Sequence, residues 1–225
     1  VTIRAVLFDF SGTLYRLEKD GPWLADLVDG EDLVGEHEVE LVRRLTAPVG
    51  PLDGLPDHLQ DAWARRDLDP AVHREVHLAM FDRVGLPAHT AEAFYARLVD
   101  PGNWRPYPDA VQALRTVRDA GIRSGIISNI PWDIRTALKR DDALELVDDL
   151  ALSYVEGRIK PDPELFRLAC RRLGVAPEEA LMIGDSVTAD GGAAEVGSRV
   201  AFVEPLPTAQ RPTALLDALA AHGVR

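Results

Sequence analysis

Three apolar runs in this chain each end on a residue that chemistry can use. Ile3 to Phe8 is short and rich in branched residues, as in a strand covered on both faces, and it ends at Asp9. A carboxylate there can attack an electrophilic phosphorus or carbon and form an ester that water later cleaves. Gly12 and Thr13 follow closely, permitting a tight turn and offering backbone N–H groups to an anion. Ile122 to Ile127 leads to Ser128 and Asn129, and Leu181 to Gly184 leads to Asp185. Ser128 can donate a hydrogen bond to a transferring oxygen, and Lys160 adds positive charge to the same group. Asp185 offers an oxygen ligand for Mg²⁺, which commonly takes one or two carboxylates together with waters and phosphate. Together these residues make phosphoryl transfer feasible, because that chemistry rests mainly on positioning and charge neutralisation.

The elements that must hold these residues follow from patterning. Pro108 to Ala120 reads as a helix, with Val111, Leu114 and Val117 along one side and Gly121 as a stop. Asp162-Pro163-Glu164 opens another helix with a capping side chain and a proline in the first turn. Leu165, Phe166, Ala169 and Leu173 give it an apolar face, and Gly174 closes it. Arg199 to Val203 and Leu150 to Tyr154 read as further strands. Strands alternating with helices at this spacing predict an α/β fold with a parallel sheet, whose ligands gather beyond the carboxyl ends of the strands. Residues 16–105 differ. They carry helical patterns at Val39 to Leu45 and Val72 to Val84, no buried strand, and a Pro/Gly-rich passage from Ala47 to Pro56. This stretch reads as a helical insertion placed over the site.

The strand ending Phe8-Asp9-Phe10-Ser11-Gly12-Thr13-Leu14 resembles the first motif of the haloacid dehalogenase-like hydrolase superfamily. Ile127-Ser128-Asn129, Lys160-Pro161-Asp162-Pro163 and Gly184-Asp185-Ser186 with Asp190 fit the same superfamily in the expected order. The resemblance implies a doubly wound, Rossmann-like α/β core of residues 1–15 and 106–225, with a smaller all-α cap domain at 16–105. It also implies a Mg²⁺-dependent phosphatase of small phosphorylated metabolites, working through an aspartyl-phosphate at Asp9. Ser128 and Lys160 would be catalytic beside Asp9, and Phe10, Ser11, Gly12, Thr13 and Asn129 would bind substrate. Asp9, the Ser11 carbonyl and Asp185 would hold the metal, and Asp190 would contact it or support its waters.

One position departs from the pattern. Phosphatases that resemble this chain carry a second aspartate two residues after the nucleophile, where its carboxylate is the general acid and base; here that residue is Ser11. Serine keeps the carbonyl and loses the carboxylate, so metal binding survives while acid/base help, typically ~10²–10⁴-fold in rate, is missing. Three readings follow. A phosphatase could act on a good leaving group or draw its acid from the insertion, where histidines 37, 58, 73, 77 and 89 lie. A haloacid dehalogenase needs neither leaving-group acid nor metal, although Gly184-Asp185-Ser186 looks like the metal-binding form of its motif. A regulatory domain would keep the phosphate pocket without turnover. Trp23, Trp63, Trp104 and Tyr107 are aromatic candidates for a pocket wall.

Composition narrows the partners. A net charge of -12 argues against a broad electrostatic grip on nucleic acid or anionic lipid, and the resemblance implies a small, phosphorylated molecule as the partner. The single cysteine, Cys170, excludes an internal disulfide and a cysteine-rich metal site, and reads as a buried apolar residue. No stretch approaches about 18 consecutive apolar residues, so the expected location is cytoplasmic.

Overall fold

The computed structural model describes residues 2–18, 57–83 and 85–225. The patterns at 39–45 and 47–56, with Lys19, Trp23 and His37, lie outside the described residues. The centre is a parallel five-stranded sheet in the order β5-β4-β1-β6-β7, formed by β1 (Ala5–Phe8), β4 (Arg123–Ser128), β5 (Asp149–Leu152), β6 (Ala180–Gly184) and β7 (Arg199–Phe202). Strand β1 pairs with β4 on one side and β6 on the other, and all four of its residues are buried. That placement explains its uninterrupted apolar run.

The alternation of side chains along the strands serves two layers of helices. Val6 and Phe8 face a core that includes Leu114 and Val117 of α4 (Ala110–Asp119) and Leu215 and Leu219 of α8 (Ala214–Ala221). Ala5 and Leu7 face Leu165, Phe166, Ala169 and Cys170 of α7 (Pro163–Leu173). Helix α7 starts as its sequence demands: the Asp162 side chain accepts from the Glu164 N–H at 2.9 Å, Pro163 occupies the first turn, and Gly174 ends it at φ +70°. Cys170 is buried, as expected. The fold is therefore the doubly wound, Rossmann-like α/β arrangement.

Three helices occupy residues 57–98: α1 (Asp57–Arg65), α2 (Pro70–Arg83) and α3 (Ala88–Leu98), with one 3₁₀ turn, Arg66–Leu68, between the first two. Helix α2 matches the pattern at 72–84, but its buried face includes His73 and His77 beside Val76, Met80 and Phe81. A strand pair crosses both boundaries drawn at 15/16 and 105/106. Tyr15–Leu17 (β2) runs antiparallel to Trp104–Pro106 (β3), with Leu17 opposite Trp104. Three-residue strands show no periodicity, and their pairing spans almost ninety residues, so no local signal marks them. Two short helices, α5 (Arg135–Arg140) and α6 (Ser153–Glu156), complete the described helices. No helix among the described residues is long and apolar enough to cross a membrane.

Candidate functional site

Because the sheet strands are parallel, their carboxyl ends share one edge. Asp9 follows β1 and donates its N–H to the Ile183 carbonyl of β6 at 2.9 Å; Ser128 ends β4, and Asp185 follows β6. The loop after Asp9 turns sharply. Gly12 has φ +78°, and a Cβ on it would stand 2.5 Å from Asp185 Oδ2, so both backbone conformation and space require glycine. Arg211, which no sequence signal marks, fastens this loop: its guanidinium donates to the Gly12 carbonyl at 2.7 Å and to the Thr13 carbonyl, and lies over the Tyr107 ring.

Several expected substrate contacts are used otherwise. The Gly12 N–H donates to the Tyr15 carbonyl at 2.7 Å and is not free for an anion. Phe10 packs its ring on Tyr15 at 4.7 Å, and the Thr13 side chain is fully buried; neither lines the cavity. Asn129 reaches the cavity wall, yet its amide holds the backbone of Lys160: Nδ2 donates to the Lys160 carbonyl at 3.0 Å, and Oδ1 accepts the Lys160 N–H at 2.7 Å. This residue positions the lysine. Ser11 lines the cavity.

The charged centre is compact. Lys160 Nζ lies 2.7 Å from Asp9 Oδ1 and 2.5 Å from Asp190 Oδ1, with all three side chains almost wholly buried. The other Asp190 oxygen accepts the Ser186 N–H at 2.9 Å, so Asp190 holds the lysine and the β6 turn together. Asp9, Asp185 and Asp190 each offer a carboxylate oxygen within 4.8 Å of the others. Burial pushes the Asp9 carboxyl above the usual carboxylate range against the pull of Lys160. Asp185 is pushed up to about 8, first by burial and then by the charges on Asp9 and Asp190. The two carboxylates raise the Lys160 pKa, so the ammonium stays charged. Among the described residues one ammonium, that of Lys160, bonds to two of these three carboxylates, and their hard oxygens suit a divalent cation such as Mg²⁺. Next to them, Ser128 Oγ is buried without a hydrogen-bond partner among the described residues, which marks it for a ligand.

The opposite wall belongs to residues 57–98. A cavity of about 560 Å³ lies between the strand ends and this wall, lined there by Trp63, Arg66, Asp67, His73 and His77, with Trp104 and Trp132 alongside. Trp63 and Trp104 line the cavity, whereas Tyr107 is buried and donates its hydroxyl to the Leu206 carbonyl at 2.9 Å. Arg66, Asp67 and Trp132 carry no signal in the sequence. Of the histidines, His58 and His89 are exposed and do not line the cavity. His73 and His77 line it, but burial lowers both, His77 to about 4, so neither holds a proton to give near neutral pH.

The profile of the haloacid dehalogenase-like hydrolases matches residues 3–197. The chain belongs to this family. Like other members it is a hydrolase, and its relatives divide between two chemistries. It is 36% identical over 199 residues to (S)-2-haloacid dehalogenase 4A of Burkholderia cepacia, covering 87% of this chain and 80% of that protein. It is 29% identical over 202 residues to the glyceraldehyde 3-phosphate phosphatase of Methanopyrus kandleri, covering 84% and 78%. A dehalogenase crystal structure with an intermediate complex superposes with a TM-score of 0.70 at 21% identity, covering 98% of this chain and 97% of that one; this likeness supports the fold.

Proposed function

We propose that this haloacid dehalogenase-like hydrolase cleaves small phosphorylated molecules through an aspartyl-phosphate on Asp9, with Mg²⁺ as cofactor. The carrying observation is the acidic cluster. Asp9, Asp185 and Asp190 offer carboxylate oxygens within 4.8 Å of one another, Lys160 among the described residues bonds to two of them, and such a cluster suits a further cation. Asp9 and Asp185, with the Ser11 carbonyl, would hold the metal, and Asp190 would support it through Lys160 and the β6 turn. Bound there, the ion would neutralise charge on the phosphoryl oxygens. Lys160, held by Asn129 and Asp190, adds its charge to the same group, and the Ser128 hydroxyl, unpaired among the described residues, donates to one of its oxygens. Residues 16–105 act as a cap that shuts out water and selects the substrate.

The test is phosphate release from 4-nitrophenyl phosphate with Mg²⁺ present. Activity should vanish with chelator and in Asp9→Asn. Asp9-independent release, or none from any of a panel of phosphorylated metabolites, would refute the reading. A second reading, hydrolysis of a carbon–halogen bond, is favoured by the missing carboxylate at Ser11 and the tryptophan-lined half of the cavity. It predicts halide release from a 2-haloacid with chelator present. Tight binding of a phosphorylated ligand without turnover would instead indicate a regulatory domain.

A further inference from the structure

Cleaving a phosphate ester with a poor leaving group requires a proton for the departing oxygen, and Ser11 cannot give one near neutral pH. Among the described residues, the carboxyl groups that line the cavity are those of Asp9, Asp185 and Asp67. Asp9 is the proposed nucleophile and Asp185 belongs to the acidic cluster, so Asp67 is left. It sits on the 3₁₀ turn between α1 and α2, with its side chain 14% exposed. The turn is fastened to the core: Ser153 Oγ donates to the Asp67 carbonyl at 2.5 Å and accepts the Ile130 N–H at 2.9 Å, just beyond Ser128-Asn129. Asp67 is near enough to Lys160 and Asp9 to feel both charges.

From this placement, and on the phosphatase reading above, we infer that the Asp67 carboxyl is the general acid and base, supplied from across the cavity in place of the residue lost at position 11. In the first step Asp9 Oδ bonds to phosphorus and the bond to the leaving oxygen breaks. Its electron pair stays on that oxygen, which takes the proton from Asp67. In the second step the Asp67 carboxylate takes a proton from water as the water oxygen bonds to phosphorus. The bond to Asp9 breaks, inorganic phosphate departs, and both carboxyl groups return to their starting states. The surroundings pull on that proton in opposite directions. Arg66 lies 3.6 Å away on the same turn and His73 Nε2 3.9 Å away on α2, while α1 and α6 bring Trp63 and Ser153. Burial outweighs the pull of Arg66 and Lys160, and pushes Asp67 up to about 6.

Leaving-group dependence tests the assignment. Wild type and Asp67→Asn are compared on 4-nitrophenyl phosphate, whose leaving group needs no proton, and on phenyl and glycerol phosphates, whose leaving groups need one. The expected result is a loss in kcat/KM, which reports the first step alone, of about 10²-fold or more on glycerol phosphate, an intermediate loss on phenyl phosphate and less than about threefold on 4-nitrophenyl phosphate, while kcat on the last falls because the second step loses its base. Retained kcat/KM on the last substrate also shows that the variant is folded. Equal losses in kcat/KM on all three, or no loss on any, would overturn the role of Asp67 while leaving the phosphatase reading intact. Absence of Asp9-dependent release by the wild type would overturn both.

Discussion

Lys160→Met should destabilise the centre of the site electrostatically while keeping its shape. The methionine matches the length of the lysine stem and removes an ammonium that touches Asp9 at 2.7 Å and Asp190 at 2.5 Å. At an effective dielectric of about 20, each contact carries about 6 kcal/mol of gross attraction, much of it offset by the cost of burying the charges. What remains after the lysine is removed is set by the two stranded carboxylates, and breaking such a buried pair typically costs ~3–5 kcal/mol. For a chain of this length that lowers Tm by on the order of 10 °C at pH 7. The loss should depend on pH. Without Lys160 the Asp9 carboxyl lies still further above its unfolded value. The penalty is therefore absent below the unfolded pKa and grows as pH rises through the folded one. Scanning calorimetry at pH 5 and pH 7 measures both features, with the wild-type curve subtracted at each pH. A Tm within about 2 °C of wild type at pH 7, or a drop of equal size at the two values, would refute the electrostatic account.

Mg²⁺ at ~100 times its dissociation constant should stabilise the folded protein by about 2.7 kcal/mol, and Asp185→Asn should abolish the rise in Tm without needing a substrate to show it. Lowering pH from 7 to 4.5 should cost the wild type about 2.5 kcal/mol more than His77→Gln. The folded His77, pulled down to about 4, refuses a proton that the unfolded chain accepts from pH 6.5 downward, so its contribution is complete above 6.5 and lost toward 4; urea unfolding at the two pH values measures it. Arg211→Lys should lower kcat on 4-nitrophenyl phosphate by roughly tenfold, because an ammonium cannot hold the Gly12 and Thr13 carbonyls in one plane; steady-state kinetics with unchanged activity would argue that the loop holds itself. In the Asp67→Asn background, Ser11→Asp should raise glycerol phosphate turnover, since it returns a carboxylate to the loop beside Asp9.

How far the sequence reached depends on the range over which each feature is specified. Strand β1 was legible because its burial on both faces writes an unbroken apolar run, and the residue after such a run stands at the sheet edge. The start of α7 was legible because Asp162, Pro163 and Glu164 satisfy their own helix end within three residues. Asp9, Ser128 and Asp185 could therefore be set at one edge of a parallel sheet from local patterns alone. Tertiary structure decided what those residues meet. The Gly12 N–H is taken by Tyr15, Asn129 grips the lysine backbone, and Asp190 pairs with Lys160 from thirty residues away. The ribbon of β2 and β3, the Arg211 clamp and the approach of Asp67 to Asp9 join segments far apart in the chain. The histidines of α2 are neutral because packing buries them, although their type suggested proton donors. Hydrogen-bond caps and strand periodicity act between near neighbours and are written in order along the chain. Charge pairing, desolvation and the choice of which side chain faces a cavity depend on distances that exist only once the sheet and its helices have closed.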